Sequence, residues 1–347
     1  MAPQQLGVAA LPEPGLAGPK VLDRAPEEQR SKAPRALVGS RHLGLNFEAP
    51  FVIGDPLSDA KQTDVSVAVR PQSRVAEDEP GPVVAHLKPV NSAGYSVYSL
   101  NSSYLFRFPG ICEFEVSEDG HSVVCLPGPR CSDGLIQILM AGTMAAWLLT
   151  LRGLAVLHAS VVRSGDATLV VAGHSGRGKS TVAALCCAAG AELVADDVAA
   201  LQAGPGGVAC KGLGAELRLR PQAFAIADLF SPALPEGRRT DDGRLAIRPP
   251  RAPSEHNVVS AVVFPRPVRG SSEVVTRCLE PAKAVLALLA NARIAGMAPA
   301  GMQRRYFETV AALVASVPVL EAQVPWGPPF ATTVARELLA QTAAGTR

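Results

Sequence analysis

The sequence has seven cysteines, but it lacks both a C-x-x-C pair and a histidine at metal-ligand spacing from any of them. This lack argues against a zinc site or a disulfide framework, and free thiols are typical of a reducing compartment. Net charge is also nearly absent. The formal value of +2 argues against a nucleic-acid binder that depends on bulk electrostatics.

Long hydrophobic runs are lacking as well. The longest, residues 138–151, has 14 residues, whereas a membrane-spanning helix needs about 18 or more. We therefore predict a buried helix over residues 133–151. The N-terminus shows no basic segment followed by an apolar core, so we expect no signal peptide, no membrane attachment and a cytoplasmic location.

Apolar residues make up 48% of the 347-residue chain and charged residues 18%, which is enough apolar material for a sizeable core. Residues 1–40 hold six prolines and four glycines without apolar periodicity, which predicts a disordered tail. Residues 41–132 contain short apolar bursts separated by turn residues, typical of a small antiparallel β-rich subdomain. The bursts cover 64–70, 95–100, 104–108, 112–117 and 122–126. Residues 133–347 form the predicted α/β domain.

A G-x-x-x-x-G-K-S pattern runs from Gly173 to Ser180 in that domain. The apolar run 168–172 before it predicts a buried parallel strand. The run 180–189 after it predicts a helix, and Gly190 suits the C′ position of that helix. Strand, glycine-rich loop and helix in this order are the context that a phosphate-binding loop requires.

The chemistry of such a loop follows from its backbone. Glycines permit positive φ angles, and the loop N–H groups together with the helix N-terminus form an anion site for a polyphosphate such as ATP. Lys179 is expected to reach the β- and γ-phosphates, and the Ser180 hydroxyl to ligate Mg²⁺. A glycine turn with an incidental lysine is the alternative. The predicted nucleotide-binding residues are Gly173, Ser175, Gly176, Arg177, Gly178, Lys179, Ser180 and Thr181.

Two adjacent carboxylates follow the helix. The segment 192–195 predicts a short strand, and a crossover of this length returns Asp196 and Asp197 to the carboxyl edge of the sheet, beside the loop. Successive strand residues face opposite sides. One aspartate can therefore face a metal ion and the other a second substrate, if the strand bends or ends there. A turn and a helix cap remain an alternative for these two acids.

The register of His158, the loop 173–180 and Leu193-Val194-Ala195-Asp196-Asp197 resembles the catalytic core of bacterial HPr kinase/phosphorylase. The resemblance is strong over 155–202, loose over 203–340 and absent from the first 130 residues. Within that superfamily the chain looks most like the HPr-kinase-related proteins, some of which are found with modified-peptide pathways. It implies an α/β P-loop domain of HPr-kinase type, here preceded by the β-rich subdomain.

The same resemblance implies transfer of the γ-phosphoryl group of ATP, with Mg²⁺, to a serine hydroxyl of a peptide or protein, a precursor peptide included. Asp196, His158 and Lys179 are then the catalytic candidates, with Asp196 accepting the hydroxyl proton, while Ser180 and Asp197 hold the metal. The resemblance allows either aspartate in either role. Without it, a histidine within the predicted strand 154–162 is most simply a core residue.

One motif departs from the family. Residues 211–214 resemble its R-G-L-G signature, but the preceding glutamate is Ala209 here, which weakens transfer of the phosphorylase activity. The polar segment 231–256 carries five arginines, either a substrate-binding loop or a solvated surface loop. A small-molecule hydroxyl kinase and a non-catalytic nucleotide-dependent regulator remain the rival functions. The acceptor, the nucleotide base and homo-oligomerisation stay open.

Overall fold

The computed structural model describes residues 36–58, 62–70, 72, 74–87, 94–211, 216–230, 237–253, 257–294 and 299–344. The chain divides into two units, Met1–Ala36 and Leu37–Arg347, and the elements below belong to the second. Of the predicted tail 1–40, residues 1–35 lie outside the described residues, while residues 38–40 already belong to a strand. Among the described residues the architecture is mixed α/β, with several sheets and six α-helical segments.

Nine strands form the N-terminal sheet, in the order β3-β1-β2-β4-β9-β8-β7-β6-β5. The five strands predicted from apolar bursts are confirmed as β4 and β6–β9. The prediction of an antiparallel sheet is only partly correct, because β4 pairs in parallel with both β2 and β9. The strands are β1 Val38–His42, β2 Leu45–Ala49, β3 Asp55–Pro56, β4 Val65–Val69, β5 Val83–Leu87, β6 Tyr95–Ser99, β7 Ser103–Phe108, β8 Cys112–Ser117 and β9 Ser122–Pro127.

The predicted buried helix lies against this sheet. It comprises α1 (Asp133–Leu139), a π-helical turn (Met140–Met144) and α2 (Ala145–Leu151). Trp147 is fully buried and meets the ring of Phe106 edge-on at 5.2 Å. The helix thus covers the apolar face that the alternating strand residues present.

This 19-residue helix exceeds the 14-residue apolar run that predicted it. In the described part of the chain it is the one helix long and apolar enough to cross a membrane, and 56% of its most apolar stretch is buried inside the protein. A core helix passes the same test of length and composition, so the feature is weak support for a membrane span.

A six-stranded sheet carries the glycine-rich loop, in the order β13-β11-β12-β19-β21-β20. Strand β12 is parallel to β19, and both β12 and β13 run antiparallel to β11 between them. The carboxyl ends of β12 and β13 therefore share one edge with the start of β11. The strands are β11 Ala159–Ser164, β12 Ala167–Ala172, β13 Glu192–Ala195, β19 Val259–Val268, β20 Val275–Cys278 and β21 Val319–Pro325.

The predicted single strand 154–162 is wrong, because the chain changes sheets at His158. The residues before it, β10 (Ala155–Leu157), pair with β14 (Ala199–Gly204) in a second sheet that also contains β15 (Gly207–Cys210). The residues after it enter β11. His158 lies at this break, at the edge where the glycine-rich loop begins.

The helix predicted after the loop is confirmed. The helix after the loop is α3 (Lys179–Ala188), and Gly190 follows it with a φ of +104°, the left-handed conformation that ends a helix. Further along the chain lie α4 (Pro281–Leu289), α5 (Ala300–Ser316) and α6 (Thr332–Ala344).

The segment 231–256 is only partly a loop. Its described middle forms strands β17 (Gly237–Arg239) and β18 (Leu245–Ile247), which pair with β16 (Leu217–Leu219) in a three-stranded sheet. Residues 231–236 and 254–256 lie outside the described residues, as do residues 212–214 of the signature-like motif.

Two N-terminal truncations distinguish the contribution of residues 1–35 to stability from the contribution of strand β1. Removing residues 1–35 should change the melting temperature by less than about 1 °C, because a proline-rich tail buries little. Removing residues 1–42 also deletes β1, whose buried Ser40 Oγ accepts the Ile53 N–H at 3.0 Å. That loss should lower the melting temperature by about 3 °C or more.

Differential scanning calorimetry of the two truncated proteins and the full chain makes the comparison. Equal melting temperatures for both truncations would contradict the assigned role of β1.

Candidate functional site

The glycine-rich loop joins the carboxyl end of β12 to the first turn of α3. Gly173, Gly176 and Gly178 have φ angles of +145°, +85° and +86°, which L side chains rarely adopt. At Gly178 a second constraint applies, since a Cβ atom there would lie 2.4 Å from the Trp326 ring. The glycines are therefore required by backbone conformation, and the last one also by a close aromatic neighbour.

Lys179 opens α3 with its side chain folded back over the loop. The side chain is almost completely buried, and Nζ donates a hydrogen bond to the His174 carbonyl at 3.1 Å. Burial lowers the pKa of this amine to about 8, against the opposing effect of the nearby aspartates. The amine is mostly protonated at neutral pH, so a positive charge lies against the loop backbone.

Asp196 lies against the loop and helix. Its Oδ1 accepts hydrogen bonds from the hydroxyls of Ser180 at 2.9 Å and Ser160 at 2.6 Å, and its Oδ2 accepts the Arg218 backbone N–H at 3.0 Å. The resemblance described above places the metal on Ser180 and Asp197. In this geometry the carboxylate beside Ser180 belongs to Asp196 instead.

Asp197 turns away from its neighbour because its backbone is left-handed, with a φ of +68°. Its Oδ1 lies 3.3 Å from His158 Nε2, and its Oδ2 lies 3.4 Å from a guanidinium nitrogen of both Arg218 and Arg293. Strand alternation alone would send adjacent side chains to opposite faces. The left-handed turn instead brings both carboxylates to the site, one beside Ser180 and one beside His158.

The charges around Asp197 set its protonation. Burial alone would raise the pKa of this carboxyl, but the guanidinium groups of Arg293 and Arg218 outweigh burial and hold the pKa well below its usual range. Burial lowers the pKa of His158 to about 4, and the nearby cations add to that effect while Asp197 opposes it. Near neutral pH the site therefore pairs an ionised carboxylate with a neutral imidazole.

Two pockets meet at this pair. The first, of about 310 Å³, is lined by the loop, by the first turn of α3, and by Trp326 and Phe330. The second is a groove of about 1050 Å³ that reaches the N-terminal sheet. His158 and Asp197 line both pockets. Small-molecule sites in proteins occupy roughly 300–1,000 Å³, so each pocket has room for a ligand.

The predicted residues fall into two groups. Those that line the loop pocket are Ser175, Gly176, Gly178, Lys179, Ser180, Thr181, His158 and Asp197. Gly173 and Arg177 are not among its lining residues, and Gly173 instead lies next to the Arg177 side chain. Asp196 lines neither the loop pocket nor the groove, and it contacts loop-pocket residues through the hydrogen bonds that it accepts from the Ser180 hydroxyl and the Arg218 backbone N–H.

Sequence reasoning missed the arginines that surround the site. Arg218 and Arg220 are two residues apart at β16, and that alternation predicts a shared face. Arg220 Nη2 donates to Ser175 Oγ of the loop at 2.9 Å. Arg293 carries no such signal, because it follows α4 and reaches the site only through the fold.

The five arginines of segment 231–256 mostly have other partners. Arg238 and Arg248 pair with Glu216, and Arg251 pairs with Asp55. Arg239 stacks on the Phe224 ring at 3.9 Å. Only Arg244 lines both pockets, and it also pairs with Asp242 at 3.1 Å. The predicted substrate-gripping role thus has one candidate in this segment.

The donors beside the loop fit a magnesium ion. Ser180 and Asp196 offer a hydroxyl and a carboxylate oxygen, the hard ligands that Mg²⁺ prefers. Within the described ranges no group of three or more His, Cys, Asp or Glu side chains could hold a metal ion. Mg²⁺ usually takes one or two carboxylates and completes its shell with substrate phosphates and water, so the small protein donor set is compatible.

The close contact at Gly178 yields a stability prediction. Gly178→Ala should unfold at a lower temperature than Gly176→Ala. Both alanines bear the cost of a positive φ, about 1–2 kcal/mol, but only the first collides with Trp326. Gly176 is the matched control, since nothing lies within 4 Å of its added Cβ.

Thermal melts of the ligand-free variants test this, and Trp326→Ala should recover part of the Gly178→Ala loss in a double-mutant cycle. Equal melting temperatures for the two alanine variants would contradict the assigned contact.

Comparisons with known proteins add little to this geometry. No protein-family model and no curated protein matches the chain. A solved structure of the Hpr(Ser) kinase/phosphatase from Coxiella burnetii is similar at 12% identity and a TM-score of 0.28, over 55% of this chain and 90% of that chain. This weak likeness is compatible with a kinase-like α/β fold, and at such similarity neither fold nor activity transfers from one protein to the other.

Proposed function

We propose that this chain is an ATP- and Mg²⁺-dependent phosphotransferase that acts on a serine hydroxyl of a peptide or protein. One observation carries the proposal: a loop pocket suited to phosphates and a larger groove meet at Asp197 and His158. A group transferred between two substrates must pass through such a junction. The HPr-kinase-like register of the sequence supports the same reaction.

The loop side is built for anions. Its backbone N–H groups, the N-terminus of α3 and the Lys179 ammonium group would hold the triphosphate. Arg220 and Arg244 also line this pocket, and their guanidinium groups would neutralise charge that builds on the transferred phosphoryl group. Lys179 would exchange its hydrogen bond to the His174 carbonyl for the phosphates.

On the groove side, Asp197 is the candidate for the acceptor hydroxyl. The hydroxyl oxygen attacks the γ-phosphorus, the bond to the bridging oxygen breaks, and ADP leaves. The hydroxyl proton passes to Asp197 or to water. Asp197 is ionised and can accept that hydrogen bond, while neutral His158 would hold the carboxylate in position. Such catalysis depends on positioning and charge more than on covalent chemistry.

Ser180 and Asp196 would hold Mg²⁺ under this assignment, which exchanges the roles of the two aspartates that are expected from the sequence. When bound, the ion would neutralise phosphate charge and fix the triphosphate. Asp196 is the better candidate because its carboxylate already bonds the Ser180 hydroxyl, whereas Asp197 is occupied by two arginines.

A groove of about 1050 Å³ that reaches the N-terminal sheet has room for a segment of a peptide or protein acceptor. The mostly buried apolar helix and the mixed α/β architecture suit the cytoplasmic location that we propose.

A non-catalytic, nucleotide-dependent regulator is the second candidate. The two arginines that neutralise Asp197 favour it, since a carboxylate with a strongly lowered pKa is a weak base. Mass spectrometry of serine peptides incubated with Mg²⁺-ATP separates the two candidates, because a regulator binds ATP without transfer.

Replacing Lys179 with alanine should abolish the rise in melting temperature that ATP produces. Ligand at a hundred times its dissociation constant stabilises a protein by about 2.7 kcal/mol, and the lysine would contact the most charged part of the ligand. The matched control is Lys283→Ala, an exposed lysine on α4 paired with Glu280. A full ATP-induced shift in Lys179→Ala would rule out the proposed phosphate site.

Replacing each aspartate with asparagine should affect a different property of the protein. Asp197→Asn should keep the ATP-induced shift and lose about 10²- to 10⁴-fold in transfer rate, since an amide cannot accept the proton. Asp196→Asn should reduce the difference between the shifts measured with Mg²⁺-ATP and with ATP plus a chelator.

Asp55→Asn, which breaks an arginine pair away from the site, controls for the loss of an ion pair. If Asp196→Asn abolished transfer with its metal dependence intact, while Asp197→Asn retained transfer, the original assignment of roles would be restored.

A further inference from the structure

The groove beside Asp197 has one apolar wall and one charged end. The apolar wall comes from the N-terminal sheet and the helix that covers it. At the charged end Asp197, Arg218, Arg244 and Arg293 come together. The apolar side chains are Leu87, Phe108, Ile111, Leu135, Ile138 and Leu139.

Three polar groups along this groove lack a hydrogen-bond partner among the described residues. They are the hydroxyl of Tyr95, the Nε of Arg293 and the Oδ1 of Asn291, and all three atoms are buried. Buried polar groups in folded proteins nearly always have a partner, so an unpaired group in a native site calls for an explanation. All three residues line the groove, and a bound ligand would supply that explanation.

The fold holds the side chains of the two donors, Tyr95 and Arg293, in place. Tyr95 begins β6, is almost fully buried and stacks on Phe108 with ring centroids 5.0 Å apart. The backbone N–H of Arg293 donates to the Val156 carbonyl at 2.9 Å. Arg293 Nη2 lies 3.4 Å from both Thr143 Oγ1 and Asp197 Oδ2, which fixes the guanidinium plane.

The π-helical turn makes room for this arrangement. Gly142 lies within the turn, and a Cβ atom there would come 3.5 Å from Arg293 Nη2 and 3.6 Å from Asp197 Oδ2. These are ordinary van der Waals distances, so an alanine would fit, and only a side chain that extends beyond Cβ would compete with the arginine for the space beside the carboxylate. π-Helical turns are frequent at functional sites.

The chemistry of the unpaired atoms limits the ligand. Arginine Nε only donates hydrogen bonds, and a tyrosine hydroxyl can donate as well. A ligand oxygen that accepts hydrogen bonds would satisfy these two donors, while Asn291 Oδ1 is an acceptor and needs a donor from the same ligand. Arginines outnumber the carboxylates at the charged end of the groove, where Asp197 and Asp242 are opposed by four guanidinium groups. An anionic oxygen is therefore favoured over a neutral one.

We infer that Tyr95 and Arg293 bind a carboxylate or carbonyl oxygen of the acceptor next to its reacting hydroxyl, and that the apolar wall selects an acceptor with an apolar side chain. This rests on the proposed phosphotransferase function. It assigns acceptor recognition to the N-terminal sheet, the part of the chain that the family resemblance does not reach. Tyr95 is then a specificity-determining residue.

Tyr95→Phe is the sharpest variant. It removes only a hydroxyl that has no partner in the described part of the free protein, so the melting temperature and the ATP-induced shift should not fall. Its acceptor KM should rise about tenfold with little change in kcat. The matched control is Tyr98→Phe, a buried tyrosine on the same strand whose side chain does not line the groove.

The probe is a library of short peptides with one fixed serine at the C-terminus and random residues at the two preceding positions, made as free acids and as amides. Wild-type protein is incubated with the library and Mg²⁺-ATP, and phosphorylated members are identified by mass spectrometry. Binding of the same peptides in the presence of a non-hydrolysable ATP analogue is measured by calorimetry.

Apolar residues should be enriched beside the serine in the phosphorylated peptides. Peptide binding should be weaker in Tyr95→Phe and unchanged in Tyr98→Phe. Preference for free acids identifies the oxygen as a terminal carboxylate. Equal use of amides, with the same loss in Tyr95→Phe, identifies it as a carbonyl. Arg293→Lys, which keeps the charge but removes Nε, should raise the KM as well.

Equal KM values for Tyr95→Phe and wild type would overturn the inference while phosphotransfer itself stands. So would a library that neither binds nor accepts phosphate from a protein that still responds to ATP. Absence of any response to ATP would instead overturn the proposed function.

Discussion

The left-handed backbone at Asp197 is the constraint on which the site depends. In an extended strand, adjacent aspartates would face opposite sides of the sheet. A φ of +68° turns the second one back, so that the Asp196 carboxylate meets Ser180 and the Asp197 carboxylate meets His158. Such a conformation costs about 1–2 kcal/mol, and aspartate is among the few side chains that tolerate it. Strain of this kind concentrates at functional sites.

The charges then determine what each carboxylate can do. Asp197 is placed between two guanidinium groups and is strongly acidic, so it is suited to accept a hydrogen bond and poorly suited to take up a proton early in a reaction. Asp196 is held by hydroxyls and a backbone N–H, and a metal ion can replace the hydroxyl interactions without breaking an ion pair. Two neighbouring residues of one type thus have different chemical environments.

Local signals in the sequence predicted the centre of the fold well. The strand 192–195, the helix after the loop and Gly190 at its end were all specified by short-range patterns, and each is confirmed. The break at His158 was not predictable from the apolar run 154–162, because only pairing with two different sheets distinguishes its halves.

The site itself was predicted only where one segment supplies it. The glycine-rich loop and the two aspartates are continuous motifs. Arg293 is brought to Asp197 through a backbone hydrogen bond to Val156, and Tyr95 reaches the same groove from the N-terminal sheet. Long-range contacts of this kind produce no periodic pattern in the sequence, so these two residues could not be predicted from it. The role of each aspartate also required a backbone angle that no pattern encodes.

The contact between Trp326 and Gly178 has an optical consequence. The chain has two tryptophans, and Trp147 is fully buried between the N-terminal sheet and its helix. Trp326 instead lines the loop pocket and lies against the backbone that would meet the phosphates. One indole is therefore shielded from events in the loop, while the other lies within its first layer of neighbours. The intrinsic fluorescence of the protein combines a constant signal with one that reports on the loop, without any attached dye.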